Sequence, residues 1–461
     1  MSVKPYKKSL FIFRRDLRLQ DNNGLTAALQ QSDCVIPCFI FDLQQIGPQN
    51  KFRSFNAIQF MLESLQDLDK QLKTKKGKLY IFKGNPKNIV SKLIKQEKID
   101  AVFLNRDYTP FSTKRDKTIA QICIKKKVEF FTYNDLLLTE PDDIKTGKGT
   151  PYTIFTPFFK KAIHRKIINP KKLPRGNFLT GNITGSQSVH MYKYVVKKEN
   201  KKLHVHGGTI QGKKILESLG IYKNYKKTKD FPSLDTTNLS AYLKFGCISV
   251  REAFYAIEEK LGKHHPLIRQ LYWRDFFTHV AFHFPFVFGA PYHEKYKKLW
   301  WSKSNVYFNA WSKGNTGFPI VDAGMRQLNE TGFMHNRVRM IVASFLTKDL
   351  HINWLKGEKY FAQQLVDYDP AINNGNWQWS ASTGCDAQPY FRIFNPWTQQ
   401  KKFDPDCIYI KTWIPELRHI PNKIIHTWSK NTHQPIKNYP RPIVDHTIEN
   451  RKTKLLYKKV G

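Results

Sequence analysis

The sequence predicts an N-terminal α/β domain with a doubly wound parallel sheet, followed by a large all-α domain. Three observations predict it. Short apolar runs alternate with amphipathic stretches over the first 135 residues, strand signals become rare after about residue 206, and all ten tryptophans lie from Trp273 onward. The apolar or β-branched runs fall at residues 10–13, 35–41, 79–82, 101–104 and 128–132. Between them the clearest helical spacing is Met61, Leu62, Leu65, Leu68 and Leu72. Strand, helix, strand repeated in this way builds a parallel sheet with helices on both faces. No GxGxxG follows any of these runs, so the usual glycine turn for a dinucleotide is not expected in this domain.

Residues 136–205 read differently. Pro, Gly and Lys are common, periodicity is poor, and residues 192–202 are strongly basic, so a long connector between the domains is expected. Residues 206–461 read as the helical domain, ending in a short basic tail from Arg451. No internal repeat is visible.

Among 461 residues, 76 are Lys or Arg and 37 are Asp or Glu, a net charge of +39. A surplus this large favours a polyanionic partner, nucleic acid first and an anionic membrane surface second. No run of about 18 apolar residues is present, so no membrane span is expected, and the N-terminal apolar segment is too short for a signal peptide. Cysteines at 34, 38, 123, 247, 385 and 407 form no CxxC or zinc spacing and read as reduced, mostly buried thiols of an intracellular protein.

Four segments carry unusual chemistry. Residues 236–246 (TTNLSAYLKFG) set hydroxyls before an apolar helix, an arrangement that offers backbone N–H groups to a phosphate. Residues 270–277 read QLYWRDFF and residues 334–340 read MHNRVRM. Arg337 and Arg339 lie two apart and point to different helix faces, so one is free to pair internally while the other reaches a DNA phosphate. Residues 367–379 (DYDPAINNGNWQW) hold two carboxylates, amides and two indoles, too polar and aromatic for an ordinary core helix.

These segments, with FRRDLRLQDN at 13–22, NNGNWQWSASTGCDAQPYFRIFNP at 373–396 and YPRPIVDH at 439–446, resemble the photolyase/cryptochrome family over essentially the whole chain. The resemblance implies an α/β domain, a connector, and a helical domain holding FAD in a folded conformation. It implies that Tyr225, Thr236, Thr237, Leu239 and Ser240 hold the FAD phosphates and ribityl chain. It places Asp367 and Asp369 at the flavin and ribityl edge, pairs Arg339 with Asp367, and sets Asn373 against flavin N5. Trp377, Trp354 and Trp301 match the family's electron relay to solvent.

The implied reaction is light-driven electron transfer from reduced FAD to a pyrimidine dimer in damaged DNA. Cofactor chemistry of this kind asks the protein to bind, orient and exclude water. The dimer must leave the duplex stack, at a cost of a few kcal/mol, and stacking worth about 1–3 kcal/mol per base offsets much of it. Trp273 and Trp379 are the expected walls. Gln270, Asn336, Arg337 and Met340 would line the same pocket, and Lys229 and Arg274 would contact the DNA backbone.

The His335-Asn336-Arg337 order and Met340 resemble cyclobutane dimer photolyases, whereas (6-4) enzymes carry a His-His pair there. Gln270 and Asn238 lean toward the (6-4) and cryptochrome side. The segment at 105–111 lacks the Glu that folate-holding members use, so a deazaflavin, a differently posed folate or no antenna stays open, with no residue assigned. A signalling cryptochrome, a (6-4) photolyase and a non-enzymatic basic nucleic-acid-binding protein are the competing readings. The protein is expected to act as an intracellular monomer on DNA, without membrane attachment.

Overall fold

The computed structural model describes residues 4–196, 198–430 and 435–460. Lys197 of the basic stretch lies outside the described residues, as does the terminal Gly461. Contacts divide the chain into two compact units. The first comprises residues 1–199, 205–223 and 239–285, and the second comprises 200–204, 224–238 and 286–461. This division differs from the boundaries expected at 135/136 and 205/206. Composition marks where a chain changes character, whereas contacts follow what it packs against.

In the first unit, strands β1 (Tyr6–Phe13), β2 (Ser32–Phe41), β3 (Tyr80–Lys83), β4 (Ala101–Asn105) and β5 (Glu129–Tyr133) form a parallel sheet of order β3-β2-β1-β4-β5. A sixth, β6 (Asn177–Phe178), pairs with the start of β2 through Cys34 and Val35. Every apolar run of the first 135 residues is therefore a strand. The last five residues of β1 and the last seven of β2 are buried, as a sheet covered on both faces requires. The crossover helices begin at side-chain caps. Asn22 accepts from Leu25 N, Ser54 from Ala57 N, and Thr109 from Ser112 N. The helix Phe55–Thr74 buries Leu62, Leu65, Leu68 and Leu72.

The 13–22 motif serves the fold of this unit. Asp16 Oδ2 accepts from Asn105 Nδ2 at 2.5 Å, and Arg18 Nη2 lies 2.7 Å from Asp135 Oδ2. Arg251, on the helix Val250–Leu261, meets the same Asp135 at 2.8 Å and Asp21 at 2.9 Å. Arg18, Arg251, Asp21 and Asp135 are all buried, so each of these four charges is stabilised by an opposite partner rather than by water. Burial pushes the Asp135 carboxyl up, but Arg18 and Arg251 outweigh it and hold it below the usual range.

The second unit is helical. Its core joins Trp311, Phe318, Met325, Val338, Phe345, Trp354, Phe361, Trp377 and Trp428, all nearly inaccessible. The helix Asn336–Ser344 runs on into a π-helical turn at Phe345–Asp349. The buried Lys348 of that turn donates to Ser382 Oγ at 3.0 Å, and the C-terminal helix His446–Lys458 docks beside it through His446 Nδ1 and Asp349 Oδ1, 2.5 Å apart. The six cysteines are all free thiols. Among the described residues no helix is long and apolar enough to cross a membrane, and no cluster of metal-ligating side chains occurs.

Candidate functional site

The helix Pro370–Ser380 organises the second unit's site. Asp369 caps it, its Oδ1 accepting from Ala371 N at 3.0 Å and Ile372 N at 3.2 Å. Asn373, Trp377 and Trp379 follow on this one helix. Asn373 is buried and its Nδ2 donates to the Glu358 carbonyl at 3.0 Å. Glu358, on the facing helix Trp354–Gln364, accepts from Asn374 Nδ2 at 2.9 Å. Burial pushes its carboxyl up to about 7, against the pull of the Asn374 bond. Sequence reasoning missed Glu358, whose only sequence signal is a lone acid on the inner face of an amphipathic helix.

Arg339 pairs with Asp367 as expected, Nη2 lying 3.0 Å from Oδ2 and 3.2 Å from Oδ1, while its Nε donates to Met334 O. Arg337 is paired as well, with Asp230 Oδ1 at 2.8 Å, so neither arginine of the motif stands alone. Lys229 Nζ lies 3.1 Å from the other oxygen of the same Asp230. Asn336 is exposed at the start of the helix, its Nδ2 3.9 Å from Met340 Sδ. His335 caps that helix through Nδ1, is buried, and leaves Nε2 without a protein partner. Burial pushes its imidazole down to about 4.

Trp354 and Trp377 are buried, and Trp301 is half-buried against the same core. Gly357 makes room for Trp377, since a Cβ there would lie 2.1 Å from the indole Cη2. Trp377 also has Phe361 at 5.0 Å and Trp311 at 6.1 Å between ring centroids, and sequence reasoning had not singled out Trp311. Trp379 is half-buried, 6.4 Å from Phe394. Tyr225 opens a short helix, half-buried, and Thr236 and Thr237 are half-buried in the turn beyond it.

The remaining expected residues belong to the first unit. Leu239 is buried and Ser240 is exposed at the start of the helix Ser240–Phe245, which has no side-chain cap. Gln270 is exposed on the helix Pro266–His283. Trp273 is half-buried, with Phe155 lying flat on it. Arg274 corrects an expectation. It is buried, donating from Nη1 to Leu136 O at 2.6 Å and from Nη2 to Leu243 O at 3.4 Å. A guanidinium spent on interior carbonyls is not available to a DNA phosphate.

The second unit's donor set fits a flavin. The flavin ring edge alternates N–H donors with carbonyl acceptors, and the Arg339–Asp367 pair and the Asn373 amide offer both kinds of partner. Buried His335 has no protein partner at Nε2, which leaves that nitrogen for a ligand atom or a water.

Comparison with known proteins shows the family. The family profile described as DNA photolyase matches residues 9–175, and the FAD binding domain of DNA photolyase matches residues 267–459. A deoxyribodipyrimidine photo-lyase of Alkalihalophilus pseudofirmus is 37% identical over 97% of both chains. An archaeal photolyase of Sulfolobus tokodaii, whose crystal structure holds two FAD molecules, is 42% identical and superimposes with a TM-score of 0.90 over 98% of this chain and 100% of that one. A class III photolyase of Agrobacterium tumefaciens is 33% identical, with a TM-score of 0.92 over 100% of this chain and 98% of that one. The chain belongs to the DNA photolyase family. Its activity is light-driven DNA repair, and its cofactor is FAD.

Proposed function

We propose that the protein repairs cyclobutane pyrimidine dimers in DNA, acting as an intracellular monomer. One observation carries the choice of lesion. The exposed position at the start of the 336–344 helix is an amide, Asn336, beside the thioether of Met340, and the neighbouring His335 is buried and held neutral. Chemistry on a (6-4) product needs a proton donor, and an imidazole titrating at about 4 is a poor one at neutral pH. Ring opening of a cyclobutane dimer needs no such acid.

When bound, reduced FAD supplies light-driven donation of one electron to the dimer. The chain's residues do the rest. Arg339 and Asp367 hold the flavin edge as a paired unit, so neither charge is left bare in a part-buried site. Asn373 is fixed by its bond to the Glu358 carbonyl, which leaves its side-chain oxygen to orient the cofactor. Trp377 and Trp354 are buried in the core and Trp301 is half-buried against it, a difference in exposure that supports reading the three as a relay toward solvent. Trp379 offers a partly exposed ring for stacking on an extruded base. Arg337 and Lys229 supply cations for the backbone.

Repair of an oligonucleotide carrying one cyclobutane thymine dimer tests the reading, followed by recovery of thymine absorbance under blue light with a dark control. Recovery in light alone is expected. No recovery on that substrate, with recovery on a (6-4) oligonucleotide, would reject the choice of lesion.

A further inference from the structure

Three charges meet at one point of the second unit. Asp230 Oδ1 accepts from Arg337 Nη2 at 2.8 Å and from Nε at 3.3 Å, and Asp230 Oδ2 lies 3.1 Å from Lys229 Nζ. The Arg337 guanidinium also sits over the Phe403 ring, 4.4 Å from its centroid. The side chains of Arg337, Asp230 and Lys229 are 15%, 26% and 34% exposed, so the cluster lies within reach of a ligand at the surface. Burial pushes the Asp230 carboxyl up, but Arg337 and Lys229 outweigh it and keep the carboxylate ionised.

We infer that Asp230 is a specificity-determining residue, an internal anion that occupies Arg337 and Lys229 until the backbone at a lesion displaces it. The inference rests on reading those two cations as phosphate contacts. A chain of net charge +39 attracts any DNA, and undamaged duplex outnumbers lesions. Non-specific binding uses loosely placed phosphates, which compete poorly with a direct ion pair at 2.8 Å. Phe403 and Asp230 together hold the guanidinium in one orientation, so a phosphate must come to it. A backbone kinked around an extruded dimer can bring one there, whereas a straight duplex does not. The carboxylate therefore weakens undamaged binding more than lesion binding.

The test is a salt titration in the dark with the flavin-loaded protein, using undamaged duplex and the same duplex with one cyclobutane thymine dimer. Asp230→Asn is expected to raise undamaged affinity by about 3–10-fold at low salt and to steepen the log–log salt slope by about 1–2. Lesion affinity is expected to change less, so discrimination falls, and Asp230→Glu is expected to restore it. In a Lys229→Ala/Arg337→Ala background the Asp230→Asn effect is expected to vanish. Unchanged slope and discrimination in Asp230→Asn would overturn the inference, as would the full effect persisting in that background. Asp230→Ser takes its place if the amide variant does not fold, with the same two outcomes. If the Lys229→Ala/Arg337→Ala protein itself binds both duplexes like the parent, the reading of these cations as phosphate contacts fails, and the inference fails with it.

Discussion

The ring of Phe155 lies face to face on the indole of Trp273, with 3.5 Å between centroids and 6° between planes. Phe277 approaches the same indole at 5.5 Å and 30°. One face of Trp273 is thus committed to its own unit, and any stacking on a flipped base uses what remains. Phe155→Leu should lower stability by about 1–2 kcal/mol through the lost aromatic pair and transfer area, while leaving lesion discrimination near the parent value. Trp273→Ala should lower both. Denaturant unfolding and paired binding assays separate them, and unaltered discrimination in Trp273→Ala would make this indole a packing residue only.

The relay depends on Trp377 and on the glycine beneath it. Trp377→Phe should slow photoreduction of oxidised flavin by at least about tenfold, yet spare repair once the flavin is reduced chemically. Gly357→Ala should also slow photoreduction, because the new methyl group occupies space that the indole holds. It should cost about 1–3 kcal/mol of stability as well. Equal photoreduction in Trp377→Phe and the parent would sink the assignment, and would turn attention to Trp311, 6.1 Å from Trp377.

Glu358 provides a pH signature. Its carboxyl titrates at about 7 in the fold against an ordinary 4.5. The folded state keeps a proton that the unfolded chain has released, so this group's contribution falls as pH rises from about 4.5 to about 7. Glu358→Gln keeps an acceptor for Asn374 Nδ2 and removes the titration. The variant should gain about 1–3 kcal/mol on the parent at about pH 8 relative to about pH 5. Parallel stability–pH curves for the two proteins would show that Glu358 does not titrate in this range.

Asp367→Asn should loosen FAD, because one of the two oxygens that Arg339 contacts becomes an amide nitrogen and the guanidinium loses its counter-charge. Release of flavin fluorescence on dilution measures it, with a loss of affinity of about tenfold expected, near 1.4 kcal/mol. Arg339→Lys should lose affinity too, since an ammonium cannot reproduce the two-oxygen contact.

What was legible in the sequence follows from local pattern. The runs at 10–13, 35–41, 79–82 and 101–104 became fully buried strand segments, as a sheet covered on both faces demands, the run at 128–132 became the partly exposed edge strand β5, and the leucines of 55–74 faced inward because their spacing leaves no other helix face for them. The pairing of Arg339 with Asp367, 28 residues apart, was carried by motif resemblance rather than by spacing. Strand β6 was not legible. Its two residues have no pattern of their own and pair only because β2 extends past β3 at its start.

The sequence by itself determined the order of elements, the parallel sheet, the helical second half, the basic surplus and the family to which these motifs belong. Tertiary structure alone decided how individual polar side chains are spent. Arg274 looks like a surface cation in its motif and is consumed by two interior carbonyls. Arg337 meets an aspartate 107 residues away, and Glu358 becomes a near-neutral acid only inside a packed core. The reason is physical. Periodicity and propensity act over a few residues, whereas burial, ion pairing and carboxyl titration depend on which distant groups the fold brings within about 3–4 Å.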